Sequence, residues 1–341
     1  MTSNNKTSED SDMWVIDALT TKLFVIVTCC VVCASVAFFG IILNLLNVCL
    51  FVKMGFQETA NISLLGLSIS DLCGLLTLEW MFLCLNPLFI EAGLPLAQVE
   101  VEYITGGYPH VCFARITGFI TAFVTFERCL CIARPLDVKN FLTPSRTVLI
   151  IAGIYICMIA SVVPAFEVNQ LEWKFYASEN RTKLGIAYNA RREEVEGVVL
   201  VVNDSFGYIA FVMVSLFTAI LISSLEANRK WRLKSISAAH ATTVTLRDKR
   251  MMRIVLVIST MFITLSFPIT VVFIFTTAYP QFGTWGKYSN LFYICSVCLT
   301  LLEICNSSFT FFVYYSMSAK FRQASVRLLT PYGEIRDKKN F

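Results

Sequence analysis

The chain has 341 residues, of which 56% are hydrophobic, and a formal net charge of +4. Its mean hydropathy of +0.66 excludes a soluble domain that has to present a wetted surface. With two histidines, no metal-ligand spacing, no phosphate-binding glycine loop and no nucleophile elbow, it carries no signature of an enzyme.

A hydrocarbon core of about 30 Å is crossed by roughly 20 residues of helix, and seven apolar windows of that length or more follow a polar tail over residues 1–21. The tail holds a sequon at Asn5. The first window, Lys22 to Val52, contains Asn44; it begins too late and runs too long for a cleaved signal peptide. The second, Ile62 to Leu85, carries Asp71 and Glu79. The third, Tyr103 to Ile132, holds His110, Ala114, Arg115 and Thr117 and ends on Glu127-Arg128, with Pro135-Leu136 beyond it. The fourth, Thr147 to Phe166, contains Pro164, and the connection after it has a sequon at Asn180. The fifth runs from Gly197 to Leu225. Asp248 precedes the sixth, Met251 to Ala278, which contains Pro268. The seventh, Tyr288 to Tyr315, carries Glu303, Asn306, Ser307 and Tyr314. The runs are long and lack a period of two, so helices are expected and not barrel strands. The prediction is an all-α membrane protein: a seven-helix bundle over residues 22–316, then residues 317–341, where "KFRQASVRLL" alternates basic and apolar residues as a short amphipathic surface helix would.

Lysine and arginine crowd the connection between windows five and six and the C-terminal tail, which places both in the cytoplasm and the N-terminus outside. The basic residues of the connection between windows four and five dissent and are outweighed. Asn5 and Asn180 then fall on the outer side, where glycosylation acts. The thirteen cysteines lie in or at the ends of the windows, so no disulfide is expected in the outer loops.

Charge inside a membrane is costly and marks function by default. Arg128, at the inner end of the third window, can stay charged there if the neighbouring Glu127 holds it. His110 stands eighteen positions earlier, about five turns of helix, so the two share a face. Arg115 is about 140° away from His110 and points toward a neighbouring helix. Glu303 shares a face with Asn306, Thr310 and Tyr314 and is free to pair with His110, Arg115 or a cationic ligand. Glu79, His110, Ala114, Arg115 and Glu303 are the candidate contacts for a charged ligand.

Glu127-Arg128-Cys129, with Ile132 and Pro135-Leu136, resembles the acid-Arg-aromatic signature of rhodopsin-like (class A) G-protein-coupled receptors. Asn44, Asp71 within "LSISDL", Pro164, Phe262 with Pro268, and Asn306, Ser307 and Tyr314 followed by Phe321-Arg322 resemble that family's motifs in order along all seven windows. The stretches "ERCLCIARPLDVKNFLTP" and "RDKRMMR" resemble the divergent chemosensory receptors of molluscs and related invertebrates. The resemblance implies a plasma-membrane receptor for an extracellular ligand, a chemosensory small molecule or, alternatively, a neuropeptide. It implies a heterotrimeric G protein as partner, with receptor kinase, arrestin and membrane lipid, and no nucleic acid. It also implies a switch of Glu127, Arg128, Asp248 and Tyr314, in which Arg128 is restrained by both acids until span six, kinked at Pro268 as span four is at Pro164, swings outward. Asp71, Thr117, Asn306 and Ser307, with Asn44 nearby, correspond to the family's sodium pocket, so Na+ at Asp71 is the one candidate cofactor. Ser318, Ser325 and Thr330 are candidate kinase sites.

The chain departs from the family at several places. Cys129 replaces an aromatic residue, Ile154 and Ser266 stand where tryptophans are usual, span five lacks its proline, and Thr310 stands in place of the span-seven asparagine with no proline after it. Tyr103 occupies the position of the family's disulfide cysteine and residues 167–196 contain no cysteine, which predicts a looser outer loop. An ion- or proton-coupled transporter is the rival architecture; the absence of an internal repeat speaks against it.

Overall fold

A computed structural model describes residues 16–133, 138–234 and 246–329, and within them every side chain except those of 139, 228–234, 246–249 and 329. Seven of its helices are long and apolar enough to cross a membrane. They are α1 (Ala18–Met54), α2 (Thr59–Leu85), α3 (Gln98–Ala133), α4 (Pro144–Val168), α5 (Arg192–Lys234), α6 (Leu246–Ala278) and α7 (Ser289–Met317), followed by a short α8 (Ala319–Leu329). Several extend past their apolar windows. Hydropathy reports only the segment inside hydrocarbon, whereas hydrogen bonding carries a helix on into polar turns. Asp17 starts α1 by accepting the backbone N–H of Thr20 at 2.8 Å. α1 and α3 each contain one wider π-type turn, at Thr28–Cys33 and Tyr103–Gly107.

The bundle interior is a hydrophobic core with polar groups set into it, and its perimeter is apolar. The apolar windows of α2 and α3 are 61% buried and those of the other five at most 28%, so α2 and α3 form the centre. Ile116 and Ile120 of α3 are wholly enclosed. So are Asn44 and Ser70, while Phe39 and Leu149 stand 67% and 71% exposed on the perimeter, where lipid is the natural neighbour. α1 approaches α7 so closely at Gly40 that a Cβ there would collide with Ser308 Oγ and crowd Leu75, so a side chain would force these neighbours to shift. Pro164 and Pro268 lie inside α4 and α6, and α7 runs unbroken past Tyr314.

The connection expected to be loose is an antiparallel hairpin, β1 (Asn169–Tyr176) and β2 (Arg181–Tyr188), paired from Asn169 with Tyr188 to Tyr176 with Arg181. Two carboxylates, Glu100 and Glu196, hold the hairpin against the helices. Glu100 of α3 accepts the Tyr176 hydroxyl at 2.9 Å and the Ile186 N–H at 2.8 Å. Leu184 exchanges backbone bonds with Pro95 and Ala97 at 2.9 and 2.8 Å. Tyr103, at the position of the absent cysteine, donates to Glu196 at 3.3 Å, Glu196 also accepts from Asn169 Nδ2 at 2.7 Å, and Arg192 forms an ion pair with it at 3.1 Å. The Arg192 guanidinium lies 4.1 Å from the Tyr188 ring centroid. Among the described residues no disulfide is formed.

α8 turns away after Ser318, whose N–H donates to Tyr314 O at 2.9 Å and whose Oγ accepts from Phe321 N at 3.2 Å. Phe321 is 1% exposed and packs on Phe51, Phe311 and Tyr314 at ring separations of 5.4, 5.7 and 5.6 Å. The same face buries Ser325, which donates to Phe321 O at 3.1 Å; the candidate kinase site there is therefore corrected, since a kinase needs an exposed hydroxyl. Thr330 lies outside the described residues.

Candidate functional site

A cavity of about 270 Å³ opens among α2, α3, α5, α6 and α7. α3 contributes His110, Ala114, Arg115 and Thr117 to its wall. On the α7 side His110 Nε2 stands 3.4 Å from Glu303 Oε2, and on the α5 side Arg115 Nη2 stands 3.4 Å from Asp204 Oδ1. Both contacts are longer than the 2.7–2.9 Å usual for a tight charge-assisted bond. His110 Nδ1 and Arg115 Nε are buried and have no hydrogen-bond partner among the described residues. Arg115 reaches α5 because Gly207 leaves room for it: a Cβ there would lie 2.6 Å from Nη1. Apolar wall comes from Phe262, Leu265, Ile269, Phe273 and Phe292, and Ser266 occupies part of the α6 face. Glu79 is half-buried on α2 and does not line this cavity; one of its oxygens has no partner among the described residues.

Asp204 is a charged residue of the cavity that was not singled out from the sequence. The signal available was the one used elsewhere, an acid within a membrane span. The neighbouring Asn203 is 1% exposed, donates to Val199 O at 2.9 Å and accepts from Ser161 Oγ at 3.2 Å.

At the floor of the cavity Asp71 Oδ1 accepts Thr117 Oγ1 at 2.9 Å and Ser307 Oγ at 3.1 Å, and Ser70 Oγ lies 2.9 Å from Thr117 Oγ1. Asn306 lines the same space. Asn44 Nδ2 donates to Gly40 O at 3.0 Å and Ser307 O at 2.9 Å, tying α1 to α7 beside this cluster. A carboxylate with hydroxyl oxygens fits a hard cation. Among the described residues no group of three His, Cys, Asp or Glu side chains could hold a metal ion.

At the far end of α3, Arg128 Nη2 donates to Glu127 Oε1 at 2.6 Å, and both residues are buried, at 6% and 1% exposure. Two α2 hydroxyls also grip Glu127: Thr59, and Ser63 at 3.3 Å. They were not foreseen, since their spacing within α2 says nothing of what faces it. Tyr314 is buried against Phe51 at 5.2 Å, its hydroxyl without a partner among the described residues. The side chain of Asp248, together with Pro135-Leu136 and Asn5, falls outside what is described. Asn180 occupies the hairpin turn with φ 51°, exposed. At the same end as Arg128, a second cavity of about 260 Å³ between α6, α7 and α8 is bordered by Arg250, Arg253 and Arg322.

The family model described as 7 transmembrane receptor (rhodopsin family) matches residues 43–307. This stretch takes in both ion pairs of the cavity, the Asp71 cluster and the Glu127-Arg128 pair, and ends before Tyr314 and α8. No curated protein matches the chain.

Proposed function

The chain belongs to the rhodopsin family of seven-transmembrane receptors, and from that premise we propose that it is a chemosensory receptor for a charged small molecule. In this reading it sits in the plasma membrane with its N-terminus outside, and it activates a heterotrimeric G protein. One observation carries it: the helix that supplies His110 and Arg115 to the cavity also ends in the buried Arg128–Glu127 pair. A ligand that replaces either outer ion pair changes how α3 is held against α5 and α7. Phe262, which packs with Ala122 and Val214 and lines the cavity, couples that change to α6. The ligand favours the arrangement it binds better, in which α6 swings outward and Arg128 leaves Glu127. Asp248, twenty positions before Pro268, is the acid on α6 that would complete the restraint. Since Ser266 replaces the tryptophan usual in the family, this account has no step that turns an indole.

The cavity volume of about 270 Å³ suits a small molecule, since even drug-sized ligands occupy pockets of roughly 300–1,000 Å³, and this supports an odorant-like ligand over a neuropeptide. Asp71, Thr117 and Ser307, with Asn306 beside them, supply oxygen donors for a sodium ion. A receptor kinase and arrestin belong to the same proposal, with Ser318 the remaining candidate on the described chain.

The test is nucleotide exchange on a purified G protein beside the full-length chain in lipid, with solute and ion flux measured in parallel. Glu127→Gln removes the charge holding Arg128 and is expected to raise ligand-free exchange several-fold. Flux without exchange would make the chain a transporter.

A further inference from the structure

We propose that the cavity recognises a small zwitterion, with an anionic group held at Arg115 and a cationic group held at Glu303, around an apolar body. This deepens the receptor reading and rests on it for its functional readout. His110 and Arg115 lie five positions apart on α3, so their attachment points are separated by about 7.5 Å along the helix and about 140° around it. The cavity therefore has two poles, one toward α7 and one toward α5, each holding a carboxylate and a base.

The charge balance at these poles decides between ligand classes. Arginine is always protonated, so the buried Arg115 Nε–H is a donor that lacks an acceptor among the described residues. A carboxylate meeting the Nε edge of the guanidinium would supply it, with the second contact that arginine geometry favours. A purely cationic ligand leaves that donor unanswered. A purely anionic ligand adds negative charge to a space already lined by Asp71, Asp204 and Glu303 against one permanent cation. Asp71 is engaged by Thr117 and Ser307, which leaves the Glu303 carboxylate, 3.4 Å from an imidazole, as the better partner for an ammonium group. A neutral ligand satisfies neither pole, and desolvating both without replacement is unfavourable. Between the poles, Phe262, Phe273 and Phe292 offer an apolar surface. The class that meets all three demands is that of small amino acids, α or ω, with an apolar chain.

The experiment exposes the full-length receptor in lipid to a panel of α- and ω-amino acids, each with its methyl ester and its N-acetyl derivative, reading thermal stabilisation and G-protein nucleotide exchange. At least one free amino acid is expected to stabilise and activate, with both derivatives at least tenfold weaker. Arg115→Gln is expected to erase the preference over the ester, and Glu303→Gln the preference over the N-acetyl derivative. Because the comparison of parent and derivatives is made on the unaltered chain, it stands even if a variant fails to fold. A derivative as potent as its parent overturns the proposal, as does a panel in which no free amino acid stabilises or activates. Activation by neutral odorants or peptides, weakened by His110→Ala, would overturn the zwitterion while preserving the receptor. Solute flux without exchange would overturn both.

Discussion

Arg115 depends on a residue with no side chain. Its guanidinium occupies the space that a Cβ on Gly207 would need, 2.6 Å from Nη1. Gly207→Ala must displace it; the end of a flexible side chain gives way at little cost in stability, but the cation leaves its place beside Asp204. The expected result is a loss of agonist potency of roughly tenfold or more, read from concentration–response curves of nucleotide exchange. Asp71 invites a different measurement. Asp71→Asn keeps a polar group beside Thr117 and Ser307 but removes the charge a cation requires. If sodium binds there, raising NaCl at constant ionic strength should stabilise the native chain against heat and leave the variant unmoved; equal responses would remove sodium from the account. Helix angles read from the sequence put His110 inward and Arg115 toward a neighbour. They could not name Asp204 as that neighbour, because an angle about one helix axis carries no information on the rotation of the next.

The hairpin and α8 are elements whose existence is local but whose docking is not. Tyr176 is held by Glu100, and its hydroxyl pKa is pushed up to about 12, by burial first and by that hydrogen bond second. A phenol raised in the docked state binds its proton more tightly there. Its contribution to docking is full below the ordinary tyrosine value of about 10 and is lost as pH rises through 12. Trp173 fluorescence, from the same strand, should report undocking across that window, and Tyr176→Phe should abolish the pH-dependent component. At the other end, Phe321→Ala empties a site enclosed by Phe51, Phe311 and Tyr314. The expected loss is about 3–5 kcal/mol, seen as a lower unfolding temperature in detergent. The amphipathic pattern of "KFRQASVRLL" made α8 legible. The hairpin was not, since the missing cysteines pointed to looseness, while Glu100 anchors it from a helix far away in sequence and Glu196 from the start of the helix that follows.

Over the whole molecule, signalling is a matter of how far a ligand can tilt two global arrangements. Moving a population from 1:99 to 99:1 takes about 5.5 kcal/mol of differential affinity, whereas one hydrogen bond to a charged group contributes about 1.5–3 kcal/mol. A single such bond therefore falls short, and a ligand that engages both poles of the cavity can suffice. Topology is testable at this scale too. In the proposed orientation, with the N-terminus outside, the exposed Asn180 in the hairpin turn would meet the glycosylation machinery. A glycosidase-sensitive shift in gel mobility is expected, reduced by Asn180→Gln and removed when Asn5→Gln is added; a chain that carries no glycan would leave the orientation without this support.

Seven apolar windows, their order and the presence of charge within them were determined by the sequence alone, because a bilayer demands a minimum length of helix and penalises every ion it encloses. The helical period also settled which side chains share a face. Tertiary structure decided which acid met which base: Asp204 with Arg115, Glu303 with His110, Thr59 and Ser63 around Glu127. Pairing is a property of the distance and rotation between two helices, and those come from packing across the bundle, which no single helix encodes.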